Sequence, residues 1–285
     1  MTRLTRSRFL RQFVLGLFSV LCVAIFAACG SGNQTADSGS PSASPSASGS
    51  SASAVTLKVA TEPAFPPFES QGDNGTLVGF DIDLMNAIGE AAGFTVQFQS
   101  LPFDGIIPSL QSGNVDAAIS AMTITAERAK TVAFSRPYFK AGLAIAVQNS
   151  TNDITSLDSL KGKRIAAQIG TTGATEAGKI EGAQVRTFDS APLALQELAN
   201  GNVDAVINDA PVTLYAIKSG NISGLKVVGQ LVTEEFYGIA LPQDSANLEK
   251  VNSGLTTILG NGKYEEIYQK WFGDKAPTLP EKAPI

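Results

Sequence analysis

The sequence predicts an α/β fold built as two similar lobes with a cleft between them. Three observations carry this. From Val55 onward, short apolar strand-like runs alternate with helix-like ones, the pattern of mostly parallel sheets flanked by helices. The block Leu110-Gln-Ser-Gly-Asn-Val-Asp-Ala-Ala-Ile119 returns as Leu198-Ala-Asn-Gly-Asn-Val-Asp-Ala-Val-Ile207, with seven of ten positions identical. The copies lie 88 residues apart, whereas solenoid periods run about 20–50 residues.

The elements follow in order. Leu57–Ala60 reads as a short apolar strand and Asp81–Ala92 as a helix, with Ile82, Met85, Ile88 and Gly89 on one face. Thr95–Phe98 is strand-like, Gly105–Gln111 helical and Ala117–Ile119 a buried strand. Each copy of the repeat reads as a helix end, a Gly-Asn turn (Gly113-Asn114, Gly201-Asn202) and a buried strand. Lys58-Val-Ala and Arg164-Ile-Ala-Ala correspond loosely upstream of the two copies. Ligands of open α/β sheets bind beyond the carboxyl ends of strands. That rule selects four loops, Thr61–Phe68, Ser120–Arg128, Gln168–Gly173 and Asn208–Asp209, which line one cleft if the lobes face each other.

Composition narrows the chemistry. The 285 residues include no histidine and two cysteines, Cys22 and Cys29, so His-dependent catalysis and His-ligated metals are excluded. Downstream of Cys29 there is no thiol nucleophile, thiolate site or disulfide. Residues 1–28 read as a signal peptide: Arg3, Arg6, Arg8 and Arg11 precede the apolar stretch Phe13 to Ala28, which is short for a membrane span of about 20 residues. Ala27-Ala28-Cys29-Gly30 resembles a bacterial lipobox, with Phe26 where that motif usually has Leu, making Cys29 the expected lipidation site. Residues 30–54 hold ten serines and one charge, Asp37, and read as a flexible tether. A chain of that length reaches about 25–30 Å. The leader carries four of the 21 basic groups and no acid, so the remainder has 17 basic against 26 acidic groups, a net charge of −9. That balance argues against a nucleic-acid partner.

Candidate binding groups gather on the selected loops. Thr125 is placed to cap a helix with Arg128 in its first turn. Two readings stay open for Arg128, a surface residue paired with Glu127 or Asp81, or a bidentate fork for a carboxylate. Ile169-Gly-Thr-Thr-Gly173 opens a helix without the Lys of a phosphate loop. Asp209 either caps the helix that follows it or accepts from a ligand ammonium. Glu62 sits near the aromatic Phe65, and Phe103 follows Pro102 on another loop, whereas Phe68 and Phe80 read as core.

Gly79-Phe-Asp-Ile-Asp-Leu-Met-Asn-Ala-Ile88 resembles the signature of the family 3 extracellular solute-binding proteins, the amino-acid receptors of bacterial ABC importers. Ala60-Thr-Glu-Pro-Ala-Phe-Pro-Pro-Phe68, Gly105-Ile-Ile-Pro108, Met122-Thr-Ile-Thr-Ala-Glu-Arg128, Gly170-Thr-Thr-Gly173 and Lys270-Trp-Phe-Gly273 are similar to the family's other blocks and stand in its order. The resemblance implies a two-lobed periplasmic-binding-protein fold of type II, each lobe a mixed sheet flanked by helices, joined by two hinge strands. By position, lobe 1 is 55–138 with 238–275, lobe 2 is 142–233, the hinge is Tyr138–Gly142 with Thr233–Tyr237, and 276–285 is a tail.

The resemblance also implies roles. Arg128 would grip a ligand α-carboxylate, helped by Thr123 and the backbone at Thr172. Asp209 would receive the α-ammonium, with the Ala121 carbonyl as second acceptor. Phe65 and Phe103 would wall the ligand side chain, and Glu62 and Gln168 would meet its far end. Asp81 and Asp83 read as structural. With Arg128 and Asp209 neutralising a zwitterion, Glu62 is left uncompensated, which favours a basic amino acid, arginine or lysine, over glutamine. The expected partners are a free amino acid, an ABC permease/ATPase complex and, through the lipid anchor, the extracytoplasmic face of a membrane. No cofactor is implied, and a monomer is expected. Two other classes stay open, a cyclohexadienyl-dehydratase-like enzyme on the same scaffold and an amino-acid sensor module.

Overall fold

The computed structural model describes residues 55–229 and 231–285. The leader, Cys29 and the serine-rich tether lie outside the described residues. The chain begins with strand β1 (Val55–Thr61), a small ladder β2–β4 (Ala64–Phe65, Glu69–Gln71, Leu77–Val78) and helix α1 (Phe80–Ala92). It continues through β5 (Phe94–Ser100), α2 (Phe103–Gln111), β6 (Ala117–Ala118), a 3-10 turn at Arg128–Lys130 and β7 (Val132–Phe134). After β8 (Phe139–Ala141) come β9 (Leu143–Gln148), β10 (Arg164–Gln168), α3 (Thr172–Gly178), β11 (Gln184–Phe188) and α4 (Ala191–Ala199). Next are β12 (Ala205–Asp209), α5 (Ala210–Lys218) and β13 (Leu225–Val228). The chain then returns through β14 (Glu235–Tyr237) and β15 (Ala240–Pro242) to α6 (Leu248–Gly260) and α7 (Lys263–Phe272).

Two five-stranded mixed sheets result, in the orders β5-β1-β6-β15-β7 and β11-β10-β12-β9-β13. Each has a parallel triplet, β5-β1-β6 or β11-β10-β12, followed by an antiparallel fourth strand. The sequence repeat is the third strand of each triplet with the turn that precedes it. Gly113 and Gly201 both sit at positive φ, 70° and 77°, where glycine is favoured. The aspartate of each copy then fastens the central strand, in the middle of β1 and at the start of β10. Asp116 Oδ2 accepts from Lys58 N and Asp204 Oδ2 from Arg164 N, both at 2.8 Å. The Asp116 and Asp204 amides donate back to the Lys58 and Arg164 carbonyls, again at 2.8 Å. The loose upstream match of Lys58 with Arg164 is therefore a structural equivalence.

The chain crosses between the sheets twice, and the crossings pair as an antiparallel ladder, with Glu235 opposite Ala141 and Tyr237 opposite Phe139. An aromatic cluster anchors this ladder to the first lobe. The Phe68 ring lies 4.8 Å from Phe139 and 5.3 Å from Tyr237, and Phe80 lies 5.7 Å from Phe139. Phe68 and Phe80 are fully buried, as a core reading of both requires. Among the described residues, no helix is long and apolar enough to cross a membrane.

Candidate functional site

The four selected loops meet. A narrow cavity of about 10 Å³ between the lobes is lined by Phe65 from the first loop, Ser120, Ala121, Thr123 and Arg128 from the second, Gln168, Thr171 and Thr172 from the third, and Asp209 from the fourth. Phe103, at the start of α2, completes the wall. Glu62 is not on the wall; it lies one hydrogen bond behind it, accepting from Gln168 Nε2 at 2.9 Å.

Arg128 is the one cation among the lining residues. Its amide is capped by Thr125 Oγ1 at 3.2 Å, and its guanidinium donates from Nη1 to the Thr123 carbonyl at 2.7 Å and from Nη2 to the Gly170 carbonyl at 2.9 Å. The second contact reaches across from one lobe to the other. Its Cζ stands 5.3 Å from the centre of the Phe103 ring, a cation–π arrangement. Glu127 pairs with Lys130 instead, and Asp81 bonds to Ala121 N and Tyr138, so neither alternative partner of Arg128 takes it. Burial pulls the Arg128 pKa down, while the charges of Asp209 and Glu235 oppose that shift.

Carboxyls outnumber that cation. Asp209 ends β12 and is buried, and its side chain makes no capping bond to α5, which disposes of the capping alternative. Its Oδ2 accepts from the Tyr237 hydroxyl, and burial pushes its pKa up to about 7. Glu62, also buried, is pushed up to about 7 chiefly by desolvation, with the Gln168 bond pulling the other way. Ala121 holds a left-handed conformation, φ 45°, with its N–H on Asp81 Oδ2 at 2.8 Å. Such a backbone costs about 1–2 kcal/mol for a residue with a Cβ, so the buried aspartate sustains it. Among the described residues no group of three or more acidic side chains is placed to hold a metal ion.

One functional group was not foreseen. Glu235, on β14, is buried and accepts from Thr123 Oγ1 at 2.7 Å and Thr172 Oγ1 at 3.0 Å, tying the two lobes to the crossover. Thr233 Oγ1 adds a third donor at 3.2 Å. The available signal was the pair Glu234-Glu235 in an extended segment, because alternate residues of a strand face opposite ways. Glu234 is exposed and pairs with Lys140 at 2.9 Å, so Glu235 faces in. Ser120 and Thr171 are further wall residues absent from the expected set.

The family model of the bacterial extracellular solute-binding proteins, family 3, matches residues 57–274. The chain belongs to this family. A protein named "Probable histidine-binding protein" from Neisseria gonorrhoeae is 32% identical over 259 residues, covering 89% of this chain and 94% of its own. The ABC transporter arginine-binding protein 1 of Escherichia coli is 36% identical over 229 residues, covering 78% and 92%. Among solved structures, an ancestral arginine-binding protein bound to arginine superposes with a TM-score of 0.74 at 47% identity, covering 76% of this chain and 98% of that one. This family 3 solute-binding protein thus has the two-lobed periplasmic-binding fold, with its cavity where the lobes meet.

Proposed function

We propose that this protein is the extracytoplasmic receptor of an ABC importer and captures a polar L-amino acid, arginine or lysine ahead of glutamine, by closing its lobes on it. The closing bodies are 55–138 with 238–275 and 142–233. The charge inventory carries the reading. The site sets one cation, Arg128, against three buried carboxyls: Asp209 and Glu235, which act on it directly, and Glu62 behind Gln168. A zwitterionic head takes up Arg128 and Asp209, which leaves an excess of acid that a cationic side chain offsets. Gln168 Oε1 adds support, being a buried acceptor without a donor beside Glu62. A guanidinium or ammonium group supplies donors to both, and a carboxylate supplies none. The arginine and histidine in the relatives' names agree with a basic ligand. Within this reading Phe65 and Phe103 flank the side chain, Thr123 and Thr172 assist Arg128, and the Ala121 carbonyl assists Asp209. Cys29 carries the lipid, and the tether lets a monomer work beside the permease.

A crystal structure with L-arginine tests the assignment. The α-carboxylate is expected on Arg128, the α-ammonium at Asp209 and the guanidinium against Gln168 Oε1 and Glu62. A side chain directed away from Glu62, or a carboxylate off Arg128, contradicts it.

A further inference from the structure

Beneath the cavity two buried carboxyls face each other. Glu69 lies on β3 and Asp81 in the first turn of α1, both without measurable exposure. Gly79 permits their approach. It sits at φ 147°, and a Cβ there would stand 1.9 Å from the Phe68 carbonyl oxygen and 2.8 Å from Glu69 Cα. Each carboxyl lies close enough to feel the other.

One oxygen of each carboxyl is committed to the site loop and its support. Asp81 Oδ2 accepts from Ala121 N at 2.8 Å and from the Tyr138 hydroxyl at 2.7 Å. Glu69 Oε1 accepts from Ser120 Oγ at 2.9 Å, and Ser120 Oγ accepts from Glu62 N at 3.0 Å. The remaining oxygens, Glu69 Oε2 and Asp81 Oδ1, are buried with no donor. Ionised carboxylates only accept, so two of them in contact away from water repel unless a proton lies between. The titratable groups that act on the pair or feel it are Glu62 from the first loop, Tyr138 from the crossover, Tyr237 from β14 and Tyr264 from α7, with no lysine or arginine among them.

We infer that Glu69 and Asp81 share one proton, Glu69 Oε2–H donating to Asp81 Oδ1, and that this singly charged pair is the positioning element for Ser120 and Ala121 of the binding loop. The proton satisfies both orphaned oxygens at once; burial raises the Asp81 pKa to about 7 against the pull of its two donors on Oδ2, so Asp81 is ionised above that pH. Burial and the neighbouring Asp81 charge hold the Glu69 pKa well above the usual carboxylate range. Through Asp81 Oδ2 the pair keeps Ala121 left-handed, and through Ser120 it fixes the amide of Glu62.

Infrared spectroscopy of the ligand-free protein tests the shared proton at about pH 8.5, above the ionisation of Glu62 and Asp209 at about 7. The wild-type spectrum is expected to show the carbonyl stretch of a protonated carboxylic acid, and Glu69→Gln to remove it. The second arm reads arginine affinity and alone rests on the proposed function. Glu69→Gln supplies an N–H where the proton lies and should bind arginine within about 3-fold of wild type, while Glu69→Ala should lose about tenfold or more. No acid band in the wild type, a band that survives Glu69→Gln, or Glu69→Gln losing arginine as Glu69→Ala does would overturn the inference. A wild type that does not bind arginine fails the proposed function, and the infrared arm still decides the pair.

Discussion

Glu62 and Gln168 form a two-residue device at the end of the cavity, with the amide on the wall and the carboxyl one 2.9 Å hydrogen bond behind it. With its pKa pushed up to about 7, Glu62 holds a proton on a large fraction of ligand-free molecules near neutrality. A cationic side chain favours the ionised form and so expels that proton, whereas glutamine has no charge to do so. Arginine affinity is expected to rise with pH through about 7 and level off above it, with proton release measurable by calorimetry in buffers of different ionisation enthalpy. Glu62→Gln should weaken arginine about 10–100-fold and leave glutamine within about 3-fold, because only the cation loses a charge-assisted partner. Equal losses for both ligands would remove Glu62 from the selectivity argument. Arg128→Lys gives up the planar fork that now spans the Thr123 and Gly170 carbonyls, and should weaken every amino acid about tenfold or more.

The repeated strand ends explain why so much of the fold was legible. Gly-Asn-Val-Asp is a local instruction, with a glycine for the left-handed turn, apolar residues for the buried strand and an aspartate that closes on the neighbouring strand. The same locality singled out Arg128 and Asp209 as candidates, each at a strand end or a capped turn, while their roles came only from the family resemblance. Glu235 was not readable in that way, because its partners Thr123 and Thr172 come from opposite lobes and meet only when the crossovers pair. The Glu69–Asp81 contact was hidden for the same reason, depending on Gly79 letting β3 approach α1. Asp116→Ala and Asp204→Ala should each lower unfolding free energy by about 1–2 kcal/mol in urea titrations, and add nearly independently because they lie in different lobes. Gly142 marks the tightest point of the crossover, where an added Cβ would stand 2.2 Å from the Thr233 carbonyl oxygen. Gly142→Ala is expected to lower stability by about 2 kcal/mol or more, since backbone rather than a movable side chain has to yield.

At the scale of the molecule, the lobes are tied across the cleft by Gln168 to Glu62, by Arg128 to Gly170, and by Thr123 and Thr172 to the same Glu235 oxygen. Two of the acids buried at the cleft, Glu62 and Asp209, also link stability to pH. Glu62 and Asp209 rise from ordinary values of 4.5 and 3.8 to about 7. The folded protein therefore binds more protons than the unfolded chain in that interval, so their contribution is complete below about pH 4 and is lost as pH rises through 7. Ligand-free protein should lose stability between about pH 4 and 7, by up to about 1.4 kcal/mol per pH unit for each group, and a saturating basic ligand should reverse the trend. The same excess of buried acid over a single cation underlies the choice of ligand, and calorimetric titration of the wild type with the twenty amino acids tests it most directly. Arginine or lysine binding tightest, glutamine more weakly and glutamate poorly is the predicted order; tight glutamate binding without arginine binding would contradict it.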